Sequence, residues 1–151
     1  MWSVESSREL AAAPERVWPL YADPLLWSRW AHSTASAATD DRPLRVGSLI
    51  RVKPSRGPVQ HIRVIRLEAG RRLTNELRVP GARMTFDYQL EPVAGGCRAR
   101  HRISMAGPLS GAYALFMRKR NARKLEGEMD RLAGVVATAR DSGPDPRDHR
   151  E

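Results

Sequence analysis

The sequence changes period for the rest of its length near residue 110, and that change restricts the fold more than any other feature. Before it, short runs of alternating apolar and polar residues follow one another, separated by turn residues. After it, Ala114, Met117, Asn121, Leu125, Met129, Leu132 and Val136 recur every three or four positions. The first pattern is the two-residue repeat of strands; the second is the 3.6-residue repeat of a helix with one covered face. A meander and a single long helix can each hide an apolar side only against the other. A curved antiparallel sheet of about six or seven strands, wrapped around a long C-terminal helix, is therefore expected, an α+β helix-grip arrangement.

Punctuation places the elements. "WSVESSREL" alternates as a first strand. In "AAAPERVWPLYADPLLWSRWAH", Pro14 suits the first turn of a helix, where its missing N–H costs nothing, and Val17, Trp18 and Tyr21 form an apolar face. Asp23-Pro24 ends that helix and leads to a second short one carrying Leu26, Trp27 and Trp30. "STASAATD" reads as a weak edge strand. Turns at Gly47, "RGP", "AGRR", "PGA" and "VAGG" then separate "SLIRVKP", "VQHIRVIRLE", "LTNELRV", "RMTFDYQLEP" and "CRARHRISM", and such short loops mean consecutive hairpins. The long helix is expected to run to about Arg140. The polar "DSGPDPRDHRE" cannot contribute to a core and reads as a disordered tail, so the chain divides into a domain at 1–140 and a tail at 141–151.

Charge invites a nucleic-acid reading, since the formal net charge is +9. Two facts argue against a specific site. The basic residues are 23 Arg against 3 Lys, the bias of a GC-rich genome, and they are scattered along strands. The densest cluster, "RKRNARK" at Arg118–Lys124, falls on the helix and reads as a solvated face, with at most a weak preference for an anionic surface or acidic partner. No apolar run approaches the roughly 20 residues of a membrane span, and the first ten residues lack the pattern of a secretory signal. Cys97 is the only cysteine, so no internal disulfide forms. The expectation is a cytoplasmic protein, monomeric or homodimeric.

Parity yields candidate site residues. In "CRARHRISM" the arginines fall on one side and Cys97, Ala99, His101, Ile103 and Met105 on the other. Met84, Phe86, Tyr88 and Leu90 share a side of the preceding strand, and Leu73, Asn75, Leu77 and Val79 one side of the strand before that. The polar members of the inner set are Asn75, Tyr88 and His101, joined by Asn121 on the helical stripe; an apolar cavity with a few convergent polar groups is the usual form of a small-molecule site. Leu77, Met84, Phe86, Met117 and Leu125 would line it, with Trp30 at its mouth. Each has a bland alternative. A buried Tyr88 can bond its hydroxyl to backbone, Asn75 can repair a bulge, Asn121 can sit at the wet end of the stripe, the tryptophans can pack the small helices, and His101 can be a satisfied core histidine. His32, His61, His101 and His149 show no metal-ligand spacing, and no P-loop, G-x-G-x-x-G or G-x-S-x-G occurs. Neither metal nor cofactor is expected.

The order strand, two short helices, meander, long helix, together with "APERVWPLYADPLLWSRW", Gly47, "PGARMTFDYQLEP", His101 and Gly107 to Leu109, resembles the START/Bet v 1-like (SRPBCC) superfamily, specifically its polyketide cyclase/dehydrase group. The resemblance covers about Trp2 to Ala139. It implies a cavity between sheet and helix holding a hydrophobic small molecule, polyketide-like, whose cyclisation or dehydration the protein promotes. Such chemistry asks for little: a cavity that folds a flexible chain, and a neutral histidine or a phenol, His101 or Tyr88, to pass one proton. Two other readings stay open: a non-catalytic carrier or sensor of a lipid-like ligand, and a module binding a protein partner through its basic surface. Fold alone does not choose.

Overall fold

A computed structural model describes residues 1–31 and 33–141. His32, His149 and the expected tail from residue 142 onward lie outside the described residues. The seven strands are β1 (Trp2–Leu10), β2 (Thr34–Thr39), β3 (Leu49–Pro54), β4 (Gln60–Glu68), β5 (Arg72–Val79), β6 (Ala82–Val93) and β7 (Gly96–Ala106). They form one antiparallel sheet in the order β1-β7-β6-β5-β4-β3-β2. The order is a plain meander except that β1 pairs with β7, which leaves the weak strand β2 at an edge, as its small polar residues suggest. The helices are α1 (Pro14–Ala22), a 3₁₀ turn Pro24–Leu26, α2 (Trp27–Trp30) and the long α3 (Ser110–Asp141), against whose stripe the sheet curls.

The strand register sorts the inner face into rows. Leu73, Tyr88, His101 and Ser6 stand side by side; the next row is Asn75, Phe86, Ile103 and Val4; the next is Leu77, Met84, Met105 and Trp2. The parity of "CRARHRISM" holds along its length: Cys97, Ala99, His101, Ile103 and Met105 are all buried. Leu125, Met129, Leu132 and Val136 of α3 close the core from the other side. Each such apolar side chain contributes about 1.5–3 kcal/mol by leaving water.

Two local devices hold the short helices. The Asp23-Pro24 break leaves the last carbonyls of α1 without helical partners, a cost every helix end must meet. The Trp30 indole donates to the Leu20 carbonyl at 2.8 Å and the Trp27 indole to the Tyr21 carbonyl at 2.9 Å, while the Asp23 carboxylate accepts from the Leu25 N–H at 3.1 Å. At the other end, Gly107 turns the chain from β7 into α3 at φ 121°. A Cβ there would lie 2.9 Å from both Ala82 Cα and the Gly81 carbonyl oxygen, so the turn accepts only glycine. The Trp2 indole donates to the Ser110 carbonyl at 2.9 Å and ties β1 to the start of α3. Among the described residues no helix is long and apolar enough to cross a membrane.

Candidate functional site

His101 is fully buried on β7, and both of its ring nitrogens have partners. Nε2 lies 2.7 Å from the Tyr21 hydroxyl of α1, and Nδ1 lies 3.1 Å from Glu128 Oε2 of α3. Tyr21 is 0% and Glu128 1% exposed. Burial pushes the Tyr21 phenol well above its ordinary value, and the nearby Glu128 and then Cys97 push it further, so the phenol keeps its proton. Its hydroxyl and the Glu128 carboxyl occupy the two ring nitrogens of His101, with the direction of each bond set by the ring's tautomer. Three elements thus meet in one hydrogen-bonded chain, Tyr21 to His101 to Glu128.

Aromatic rings enclose this chain. Tyr88 stacks on Tyr21 at 5.6 Å between centroids and 15° between planes, and meets His101 edge-on at 4.8 Å. Trp30 stands edge-on to Tyr21 and to Tyr88 at 5.1 and 5.4 Å. Burial, then Glu128, then Tyr21 and Asp87, raise the Tyr88 phenol well above its usual range as well. Among the described residues the Tyr88 hydroxyl has no hydrogen-bond partner, unlike that of Tyr21.

A cavity of about 900 Å³ opens between the sheet and the first half of α3. Its apolar wall includes Leu77, Val79, Met84 and Phe86 from the inner rows and Met117 from the helix. Asn121 lies on the same wall, 4% exposed, with no partner for Nδ2. The mouth carries Arg56, Arg120, Arg123 and Lys124, and no acidic side chain lines the space. Lys124 Nζ lies 5.3 Å from the centre of the Phe86 ring, over its face.

The sequence-based candidates therefore divide into two groups. Leu77, Met84, Phe86, Met117 and Asn121 line the cavity. Tyr88, His101, Trp30, Leu125 and Asn75 lie in the core beside it and are not among its lining residues. Asn75 is 0% exposed, one register step from Phe86, and both ends of its amide lack partners. Trp30, expected at the mouth, turns inward because its indole N–H closes the end of α1. Periodicity alone missed the two partners of His101. Glu128 was open to detection, since it falls three residues after Leu125 and four before Leu132 on the buried stripe, where an acid needs a partner.

A polar depression of about 420 Å³ near the β4–β5 turn is lined by Arg66, Arg71, Arg72, Arg98 and Arg100, but most of these meet acids of their own: Arg66 pairs with Glu68, Arg72 with Asp87, and Arg98 with Glu9. Arg100 Nε lies 2.9 Å from Glu5 Oε1 without its N–H being aimed at that oxygen. Among the described residues no group of three or more His, Cys, Asp or Glu side chains could hold a metal ion. Cys97 is buried, and its thiol is raised by that burial and then by Glu15, which leaves it a small apolar residue.

Comparison with known proteins agrees with this geometry. Residues 1–137 match the family described as polyketide cyclase/dehydrase and lipid transport. An uncharacterised protein of Mycobacterium tuberculosis is 31% identical over 116 residues, which span 72% of this chain and 69% of that one. Among solved structures, a protein of Mesorhizobium loti superposes with a TM-score of 0.73 at 18% identity, covering 91% of this chain and 98% of the other. A protein of the dynemicin biosynthetic locus superposes with a TM-score of 0.70 at 19% identity, over 91% of this chain and 48% of its own. Identities at that level speak for the fold alone.

Proposed function

This chain belongs to the polyketide cyclase/dehydrase and lipid transport family, and from that membership we propose that it holds a hydrophobic, oxygen-bearing, polyketide-like small molecule between its sheet and α3. The observation that carries the reading is Asn121, a buried amide whose Nδ2 has no partner, in a cavity of about 900 Å³ that it lines together with Leu77, Val79, Met84, Phe86 and Met117 as well as with polar and cationic side chains. A buried polar group left unpaired costs about 1–3 kcal/mol, which a ligand carbonyl or hydroxyl accepting from Asn121 would recover. The volume suits a small organic molecule. Leu77, Met84, Phe86 and Met117 supply the apolar contact, and Asn75 offers a second unsatisfied amide in register with Phe86, with Leu125 and Trp30 buried in the core.

The sealed state of His101 favours a carrier or sensor: both ring nitrogens are occupied and the ring is 0% exposed. A second reading, promotion of cyclisation or dehydration, is favoured by the unpartnered Tyr88 hydroxyl. A ligand oxygen reaching past Phe86 would meet Tyr88 first, and the phenol or the imidazole behind it would pass one proton while the cavity holds the ligand folded.

Native mass spectrometry of the purified protein, followed by extraction, tests the binding itself. A hydrophobic molecule retained one-to-one is expected, and exclusion of every hydrophobic dye and extractable ligand would refute the reading. Incubation with a linear poly-β-keto thioester separates the two forms. Recovery unchanged marks a carrier; a cyclised or dehydrated product that declines about 10²–10⁴-fold in Tyr88→Phe or His101→Gln marks acid–base catalysis.

A further inference from the structure

The first half of α3 carries a feature that ligand binding leaves unused. Leu115 and Phe116 are 82% and 77% exposed, adjacent on a helix whose other large apolar residues are buried or half-buried. Burying a leucine or phenylalanine is worth enough that two neighbouring ones rarely stand in water without a surface to meet. Around them the helix carries Arg118, Lys119, Arg120, Arg123 and Lys124, and from Ser110 to Leu125 it has no acidic residue. Among the described residues none of these five cations is in an ion pair. At 100° per residue, Leu115, Phe116, Lys119, Arg120 and Arg123 fall on one side of the helix, opposite the buried Asn121, Leu125 and Leu132. The nearest acids on the helix follow in the next turns: Glu126, in no ion pair among the described residues, Glu128, which meets His101, and Asp130, which pairs with Arg8.

We propose that this outer face of α3 docks onto an anionic lipid bilayer, with Leu115 and Phe116 entering the headgroup–acyl boundary and the cations meeting lipid phosphates. An exposed apolar pair set among lysines and arginines is the composition of an interfacial helix, whose binding combines buried apolar area with attraction to anionic lipid. Arg120, Arg123 and Lys124 also line the mouth of the cavity, so docking brings that mouth to the membrane surface. A solvated charged face, the plain reading of the cluster, accounts for the cations but not for Leu115 and Phe116.

Co-sedimentation of the full chain with phosphatidylcholine vesicles, with and without a minority of phosphatidylglycerol, tests the proposal. Binding is expected to the anionic vesicles only and to weaken with salt. Leu115→Glu and Phe116→Glu should each weaken it at least tenfold, and Lys119→Ser about fivefold. None of these three residues lines the cavity, so melting temperature and hydrophobic-dye uptake should match wild type, which separates failure of docking from failure of ligand binding. The proposal is overturned if anionic vesicles leave the protein in solution at low salt, if neutral vesicles bind it equally, or if Phe116→Glu binds as wild type does. It is also overturned if Phe116→Glu instead converts a dimer to a monomer, or abolishes binding to soluble polyglutamate with no vesicle binding in wild type; these results would give the face to a second copy or an acidic protein.

Discussion

The Tyr21 hydroxyl and His101 Nε2 lie 2.7 Å apart although 80 positions separate them in the chain. With Glu128 at Nδ1, the contact makes His101 the junction of α1, β7 and α3. Its energetic signature is an asymmetry between the two partners.

His101→Phe leaves both the Tyr21 hydroxyl and the Glu128 carboxyl without their buried partner, whereas Glu128→Leu leaves only Nδ1 without one. His101→Phe should therefore cost more than Glu128→Leu, for which about 1–3 kcal/mol is expected. Urea denaturation of both variants gives the comparison. A Glu128→Leu loss equal to or larger than that of His101→Phe would contradict His101 as the junction of the three elements.

The buried phenols set the alkaline limit of stability. The folded state holds Tyr21 and Tyr88 protonated well above the ordinary value of 10.0, chiefly through burial. The stability this gives is present below that ordinary value and declines as pH rises beyond it, because the unfolded chain ionises first. In a Tyr113→Phe variant, which keeps only these two tyrosines, phenolate absorbance should appear together with unfolding. A smooth titration centred near the ordinary value in a folded protein would count against the burial of both rings.

Asp87 sets the acid limit. Burial alone would raise its carboxyl, but hydrogen bonds from Arg72 at 2.9 and 2.7 Å, Gln89 at 3.0 Å and Thr74 at 2.8 Å overcome that and hold it below 3.8. Its contribution is complete above the unfolded carboxyl value and lost as pH falls through the folded one. Wild type should lose stability steeply below about pH 4, while Asp87→Asn, less stable at neutral pH by about 1–3 kcal/mol, should lose less over that interval. Parallel stability–pH curves for the two proteins would show that Asp87 plays no such part.

Met117→Trp tests where a ligand sits. Met117 is a partly exposed wall of the cavity, so an indole can fill space there without disturbing the core behind it. Uptake of a hydrophobic dye should fall at least tenfold with the melting temperature nearly unchanged. Undiminished uptake by a folded Met117→Trp protein would move the site away from α3.

How much of this was legible in the sequence follows from what periodicity encodes. A two-residue beat fixes which side of a strand is covered, so the inner rows through His101, Ile103 and Met105 could be read directly, as could all seven strands and the long helix. The cavity wall followed for Leu77, Met84, Phe86, Met117 and Asn121 for the same reason. Depth along a row is not encoded by parity. Tyr88 and Phe86 share one face of β6, yet only Phe86 meets the cavity, because α1 and α2 fill the end of the sheet where Tyr88 stands. Trp30 turns away from the mouth because its indole serves the carbonyl of Leu20, ten residues earlier, which the Asp23-Pro24 break leaves open. Tyr21 could not be paired with His101 from spacing, since their meeting depends on the path of α1 across the sheet.

The pairing of β1 with β7, Trp2 beside Met105, also orders events during synthesis. The ribosome delivers β1 first, but its partner strand arrives about a hundred residues later, and the helix that covers both follows that. Until α3 emerges, the row of Val4, Ile103 and Phe86 has no apolar cover and Glu128 is not yet present to receive His101. The nascent sheet is therefore exposed to aggregation through most of translation, at the typical pace of about 5–20 residues per second. Folding becomes all-or-none only when α3, the last quarter or so of the domain, is free, so a transcript truncated within α3 should yield insoluble chain rather than a smaller folded protein.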